Sequence, residues 1–160
     1  MTSETDVDHV WKLMKKIGFC MLSTRNGEDI RARPMSAYAE REANTVYFLT
    51  DVNGVKDDEI QRNPNVCLAF ADASAQNYVS VTGRAEVTND RAKIKELFST
   101  PVKAWWKSPD DPAIRVLKVR LKDAQYWDSP GTVVSYVKMI AAAVSDNQKP
   151  AVGESAKVKL

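Results

Sequence analysis

The sequence predicts a mainly β fold, a six-stranded antiparallel barrel with flanking helices. Six short segments rich in β-forming residues follow one another along the chain, and short polar turns join most of them. The 160 residues suit a single domain. We expect this domain over residues 1–144 and a polar tail over 145–160 that is mobile or lies against a partner.

The individual elements follow from spacing and turn residues. Apolar residues recur at helical spacing from Val7 to Ile17, and Asn26-Gly27 is a strong hairpin signal after the first strand. In the fifth strand, polar and apolar residues alternate over 78–88. The expected strands are 19–24, 30–38, 45–50, 65–70, 78–88 and 113–121, the last continuing or ending between 123 and 128. Further helices are expected over 55–62, after Asn89-Asp90, and from Ser129-Pro130 to Val144.

Composition argues against several function classes. Lys and Arg total 23 against 21 for Asp and Glu, and the basic residues are scattered, so we expect no nucleic-acid partner. His9 is the only histidine, which excludes a site with several His ligands, and we expect no metal. Cys20 and Cys67 have no disulfide or metal spacing and suit a reducing cytoplasm. The acidic start does not resemble a signal peptide, and no run approaches the roughly 18 apolar residues of a membrane helix.

Lys56 is the strongest local candidate for a ligand contact. It follows a turn over 51–54 and lies at the expected start of a helix, where free N–H groups and an ammonium favour an anion. Thr50 adds a hydroxyl donor. A solvated surface lysine is the alternative. Arg31 and Arg33 alternate on one strand, where they are either solvated or hold a phosphate or a polar ring edge.

Several motifs occur in an order that resembles a known family. They are Arg33-Pro34-Met35, Val46–Thr50 running to Lys56, Asn63–Val66, Tyr78–Ala85, Trp105-Trp106, Asp110–Pro112 and Ala124–Asp128. In this order they resemble the flavin-binding split-barrel proteins related to pyridoxamine 5′-phosphate oxidase, and more narrowly the bacterial general stress proteins. The resemblance covers about residues 7–144.

This resemblance implies a homodimer with two flavin sites at the subunit interface, with FMN as the cofactor and FAD as an alternative. The ring and ribityl chain would contact Arg33, Pro34, Met35, Ser36, Leu49 and Thr50. The phosphate would lie at Gly54, Val55 and Lys56. Tyr78 would lie near the ring, Trp127 would reach it from the other subunit, and Trp105 or Trp106 would cover the pocket. A core or interface role is the alternative for the tryptophans.

The sequence also departs from the oxidases. Where they carry Ser-Arg-Lys at the phosphate, this chain has Gly54-Val55-Lys56, and it lacks their closing Arg-Leu-His-Asp-Arg run. We therefore do not expect true pyridoxamine-phosphate oxidase activity. The predicted function is a flavin-binding protein of the general stress type, a flavin-dependent oxidoreductase whose substrate and catalytic residues are unknown. The alternative is a non-enzymatic module that binds a flavin, a deazaflavin or haem, or another protein.

Overall fold

Eight β-strands in the described part of the chain form one sheet in which every pairing is antiparallel. The structure is a computed structural model that describes residues 4–130, 132–144 and 153–160, without the side chains of 55–57 and 132–136. The strands are β1 (Phe19–Asn26), β2 (Asp29–Ser36), β3 (Tyr38–Glu40), β4 (Thr45–Asp51), β5 (Asn65–Asp72), β6 (Asn77–Thr88), β7 (Ile114–Asp128) and β8 (Glu154–Lys159). The helices are α1 (Glu4–Ile17), α2 (Val55–Arg62), α3 (Arg91–Leu97), α4 (Thr132–Ala143) and a short 3₁₀ helix over Thr100–Ala104.

The sheet is organised on β7, which has 15 residues. Along one edge it pairs with β6 from Val116 to Asp128. The other edge is shared, because β4 pairs with residues 114–120 and β8 pairs with residues 123–128. The strand order is β2-β1-β5-β6-β7-β4-β3, with β8 beside β7. The sheet therefore divides between residues 120 and 123 of β7, where pairing with β4 gives way to pairing with β8.

Alternation of side chains along the strands produces two apolar clusters. Leu22, Phe48, Phe70 and Val81 are buried inside the barrel, and Met14 of α1 packs with them. The alternate residues of β4 and the first part of β7 face the other way. They form a smaller cluster with α3, whose buried members are Tyr47, Ile94, Ile114 and Val116.

The barrel is not closed by hydrogen bonds between the two ends of the strand order. β2 and β3 lie at these opposite ends, although only Ala37 separates them in the chain. The N–H of Ala37 donates to the carbonyl oxygen of Gly18 at 2.9 Å, which fixes the point where the chain passes from one end to the other. The two ends of the strand order, β2 and β3, are thus joined through the chain at Ala37, and the strands separate beside this residue.

The resulting opening lies between β2 and β4. β3 pairs with residues 45–47 of β4, and this register, if continued, would place Ser36 opposite Leu49 and Met35 opposite Thr50. In the described sheet β2 pairs with β1 along one edge, and its other edge forms no pairing with β4. We call the opening between residues 33–36 of β2 and residues 48–51 of β4 the seam.

The predicted fold class is confirmed, since the architecture is a mainly antiparallel barrel with flanking helices. The strand count of six is wrong. The expected strand over 30–38 is two strands, β2 and β3, because the chain changes its pairing partner at Ala37. The final residues also differ from the expected mobile tail, because Glu154–Lys159 form β8 and Val158 is only 2% exposed. Residues 145–152 lie outside the described residues.

Gly83 provides a test of the way β6 bends around β7. The pairing register shifts between Thr82 and Gly83, and a Cβ at position 83 would lie 2.6 Å from the Arg120 carbonyl oxygen and 2.7 Å from Val119 Cγ1. Because a backbone oxygen cannot move aside, we expect Gly83→Ala to lower the free energy of unfolding by about 1–3 kcal/mol. Chemical denaturation measures the change.

The matched control is Arg84→Ala, which introduces the same side chain at the next, exposed position of β6. We expect it to change stability by less than about 0.5 kcal/mol. Equal effects of the two substitutions would contradict the close-approach argument.

Candidate functional site

The two walls of the seam carry side chains that alternate between its two faces. On β2, Arg33 and Met35 face the barrel interior, while Pro34 and Ser36 are exposed on the outer face. On β4, Thr50 is buried on the interior side, and Leu49 faces the second cluster. Predicted contact residues therefore line the seam from both sides. Pro34 and Ser36 can contact a ligand on the outer face, whereas Arg33 and Met35 can contact a ligand only within the opening.

A buried polar network connects the seam to α2. Arg33 Nη2 donates to Glu59 Oε2 at 3.0 Å, and Arg33 Nη1 donates to Thr24 Oγ1 at 2.6 Å. The Thr24 hydroxyl in turn donates to Glu59 Oε2 at 2.5 Å. Only 5% of Glu59 is exposed, and Thr24 is fully buried. The network joins β1, β2 and α2, so it fixes the helix that begins at the expected phosphate site against the strand that lines the seam.

The electrostatics of this network favour an ionised Glu59. The hydrogen bond from Thr24 is the largest cause that lowers the pKa of Glu59, and the hydrogen bond and charge of Arg33 add to it, while burial opposes them. Two buried polar atoms beside the seam nevertheless have no hydrogen-bond partner among the described residues. They are Thr50 Oγ1 and Glu59 Oε1. Such atoms are costly unless water or a ligand pairs with them.

The turn between β4 and α2 leaves backbone donors available. The N–H of Gly54 closes the turn on the Asp51 carbonyl oxygen at 2.9 Å, and Gly54 then caps α2 without a side-chain acceptor. The N–H groups of the first turn therefore have no side-chain cap in the described residues, which favours an anion there. The α2 backbone begins at Val55 and includes Lys56, as the sequence predicts, but their side chains lie outside the description.

Trp105 and Trp106 differ in position. Trp106 Nε1 donates to Asp51 Oδ2 at 3.4 Å, a long hydrogen bond, and its ring packs on the second cluster next to the end of β4. Trp105 is 81% exposed. Arg91 holds the segment that follows, since its Nη2 donates to the carbonyl oxygens of Pro109 and Asp111, each at 2.8 Å. Of the two tryptophans, Trp106 is therefore the one fixed near the seam.

Tyr78 and Trp127 lie on the outer face of the sheet, on the strands that stand third and fourth from β2 in the strand order. They are directly paired between β6 and β7, and they are 37% and 39% exposed. Phe19, 64% exposed, and Met21 face the same side of the sheet from β1. We call these four residues the outer aromatic patch. Large apolar side chains grouped in this way mark a surface that another molecule covers.

α1 fixes the strand end that carries Trp127. On one side of it, the Tyr126 hydroxyl donates to Asp6 Oδ1 at 2.8 Å; burial and this hydrogen bond raise the pKa of Tyr126 to about 12. On the other side, His9 Nε2 and Asp128 Oδ2 are 2.6 Å apart. Trp127 is thus held between two anchored neighbours, which keeps its half-exposed indole in place.

The structure brings together the predicted residues of β2, β4 and the start of α2, and it places Tyr78 and Trp127 elsewhere. Glu59 and Thr24 were not predicted to belong to the site. Asp57, Asp58 and Glu59 are consecutive acids at a helix start, where surface charge is the expected role, so the sequence does not single out one of them. The position of Glu59 beside the buried Ile60 is the only available signal.

Two negative findings apply to the described residues. No group of three or more His, Cys, Asp or Glu side chains among them is placed to hold a metal ion. No helix in the described ranges is long and apolar enough to cross a membrane.

A barrel of this strand order, opened along a seam beside a helix start, is a split barrel. The sequence model described as "Pyridoxamine 5'-phosphate oxidase like" matches residues 5–151. The chain belongs to this pyridoxamine 5′-phosphate oxidase-like family, which confirms the resemblance to it and to its general stress proteins.

Individual relatives agree with this assignment. General stress protein 26 of Bacillus subtilis is 29% identical over 108 residues, which are 62% of this chain and 74% of that protein. Protein bli-3 of Neurospora crassa is 25% identical over 138 residues, which are 79% of this chain but just under two thirds, 66%, of that protein. The solved structure of the general stress FMN/FAD binding protein of Xanthomonas citri is similar with a TM-score of 0.69 at 25% identity. It covers 79% of this chain and 90% of its own.

The Arg33–Glu59 pair predicts a pH-dependent stability. The pKa of Glu59 is lowered in the folded chain, so its ionisation stabilises the fold above the ordinary pKa of about 4.3 and is lost as pH falls through the lower folded value. We expect Arg33→Met to lower the free energy of unfolding by about 1.5–3 kcal/mol at pH 7, because it removes a hydrogen bond to a charged group. The deficit should shrink as the pH falls through the lowered pKa of Glu59, because the carboxylate is neutral below it.

Denaturation curves at several pH values for the parent and Arg33→Met measure this deficit. Arg84→Met is the control, since it removes the same charge from an exposed position of β6 that is not among the charges lowering the pKa of Glu59. A deficit that does not vary with pH would show that the guanidinium does not act through Glu59.

Proposed function

We propose that the chain binds a flavin, FMN or FAD, at two composite sites of a homodimer and acts as a flavin-dependent oxidoreductase of the general stress type. The observation that carries the proposal is the seam. Residues 33–36 and 49–50 flank the line along which β2 and β4 are unpaired, and α2 begins directly beyond it with Lys56. The name of the Xanthomonas citri protein, which specifies FMN/FAD binding, supports the same cofactor here.

The chemistry of the seam fits a flavin. Thr50 Oγ1 and Glu59 Oε1 are buried polar atoms without a described partner, and a flavin carries hydroxyl groups and ring heteroatoms that can pair with such atoms. The uncapped N–H groups after Gly54, together with Lys56, suit its phosphate. Residues 33–36 and 49–50 would orient the ring, and Trp106 beside Asp51 would shield it from water.

The second subunit follows from the position of Trp127. Thr50 pairs with Arg115 near the start of β7, and Trp127 is twelve residues farther along, about 40 Å of strand at about 3.3 Å per residue. Thr50 and Trp127 of one chain therefore lie beside opposite ends of β7. Two copies related by a two-fold axis place Trp127 of the partner subunit over the seam of the first.

Exposed apolar surface supports the same dimer. The outer aromatic patch lies on the sheet, and α4, which begins soon after Trp127, exposes Val137, Met139, Ile140 and Val144. A dimer that buries both surfaces would remove them from water, and a stable interface of this kind covers well over about 1,000 Å².

A bound flavin supplies the redox chemistry, and the protein positions it. The substrate would be a small molecule. Pyridoxamine 5′-phosphate is not proposed, because the closing Arg-Leu-His-Asp-Arg run of the oxidases is absent. Cys20 and Cys67 are free thiols, which is consistent with a cytoplasmic protein.

Cofactor release and solution mass test the proposal together. We expect the purified protein to bind FMN or FAD, identified by chromatography after heat release, with two flavins per dimer at micromolar protein. A monomer that binds flavin would contradict the composite site and leave flavin binding standing. A dimer that binds no flavin, or a protein with a haem spectrum, would contradict the flavin proposal.

Substitution of Trp127 tests whether the partner's indole reaches the ring. We expect Trp127→Phe to weaken flavin binding about 2–10-fold, since the phenyl ring is smaller than the indole and buries less apolar area against the flavin. It should also raise the fluorescence of the bound flavin, because an indole near the ring quenches it. Titration with fluorescence detection measures both effects.

The control for this experiment is Trp105→Phe, at the 81% exposed tryptophan, which should change neither affinity nor fluorescence. Unchanged affinity and fluorescence in Trp127→Phe would remove Trp127 from the site. Loss of the dimer in Trp127→Phe would assign the residue to the interface alone.

A further inference from the structure

We propose that Glu59 is a ligand-binding residue whose Oε1 accepts a hydrogen bond from a hydroxyl of the flavin's ribityl chain. This proposal rests on the proposed flavin site. It assigns the polyol part of the ligand to a residue of the buried network rather than to the strands that flank the ring.

The first argument is the asymmetry of the Glu59 carboxylate. Oε2 accepts hydrogen bonds from both Thr24 and Arg33, whereas Oε1 is buried and has no partner among the described residues. Thr24 and Arg33 thus both donate to the same oxygen of Glu59, Oε2. A buried carboxylate oxygen needs a donor, and the polyol of a flavin consists of hydroxyl donors.

The second argument is the position of Glu59 between the two predicted ends of the cofactor. It contacts Arg33, which belongs to the strand expected at the ring. It also lies three residues after Lys56 on α2, so the two positions share one face of the helix one turn apart. The ribityl chain joins the ring to the phosphate, and a group reached from both positions lies beside that chain.

The third argument is the sign of the charge. The hydrogen bond from Thr24 and the charge of Arg33 keep the pKa of Glu59 low, so the carboxylate is ionised near neutral pH. An anion attracts hydroxyl hydrogens and repels a phosphate. Glu59 therefore accepts the neutral polyol and directs the phosphate towards the start of α2, which fixes the direction in which the flavin enters.

Three ligands separate the contributions: FMN, riboflavin without the phosphate, and lumiflavin without the polyol. We expect Glu59→Gln to weaken binding of FMN and riboflavin about 5–20-fold and to leave lumiflavin unchanged, because a charged acceptor of the hydroxyl is lost. Lys56→Ala should weaken FMN alone. Asp58→Asn is the matched control, since it removes the same charge from an exposed neighbour on α2 and should change none of the three affinities.

Two outcomes would overturn the proposal. One is a loss of lumiflavin binding equal to that of riboflavin, which would mean that Glu59 acts through the fold or the ring. The other is unchanged riboflavin affinity, which would mean that the oxygen is satisfied without the ligand. If Glu59→Gln does not fold, the same three ligands are tested on Glu59→Asp, which keeps the charge but has a shorter side chain that withdraws the carboxylate oxygens. The same pattern of affinities is expected. A parent protein that binds none of the three flavins would refute the proposed function itself.

Discussion

Two strands share one edge of β7, and the rest of the barrel depends on this arrangement. β4 uses residues 114–120 and β8 uses residues 123–128, so the sheet divides into two branches that leave β7 in succession. The bulge at Thr82 and Gly83 lets β6 follow β7 past the division. β2 and β3 end the strand order on opposite sides, so each has one edge without a partner in the described sheet, and the chain passes directly from one to the other at Ala37. The seam lies between the free edge of β2 and residues 48–51 of β4, which lie past the last β4 residue that pairs with β3.

The seam is also where the fold departs from the rules of a well-satisfied core. A carboxylate, a guanidinium and a threonine hydroxyl meet there beneath α2, and two polar atoms remain unpaired within the described residues. Elsewhere the interior holds Leu68, Phe70 and similar side chains in an apolar cluster, and Thr88 Oγ1 is one further buried oxygen without a partner in the described residues. Local departures of this kind concentrate at functional sites, because the groups are arranged for a ligand rather than for the folded chain alone.

Local sequence patterns were sufficient for most of the elements, and they predicted candidate residues on both strands that flank the seam. The alternation in β6 and the helical spacing in α1 reflect burial on one face, which a sequence displays directly. β3 has three residues and its pairing depends on where β4 lies, so no local pattern reveals it. The alternation of Lys157 and Lys159 with Val158 does not by itself indicate a strand of this sheet. β8 can be assigned only once the part of β7 that β4 leaves unpaired is known. Glu59 was hidden for a similar reason, because its partner Arg33 is 26 residues away.

The division of the proposed site between two copies has a thermodynamic consequence. A ligand that touches the seam of one subunit and Trp127 of the partner subunit would bind the dimer more tightly than the monomer, so binding and association would stabilise each other. In the proposed dimer the seam would supply polar contacts on α2 and β2, whereas the partner would contribute an apolar surface held in place by the links from α1 to Tyr126 and Asp128. Dimerisation would therefore bury the outer aromatic patch and complete the aromatic cover of the ring in the same step. The same apolar surface would serve stability and cofactor binding, and the exposure of Trp127 in the single chain follows from both roles.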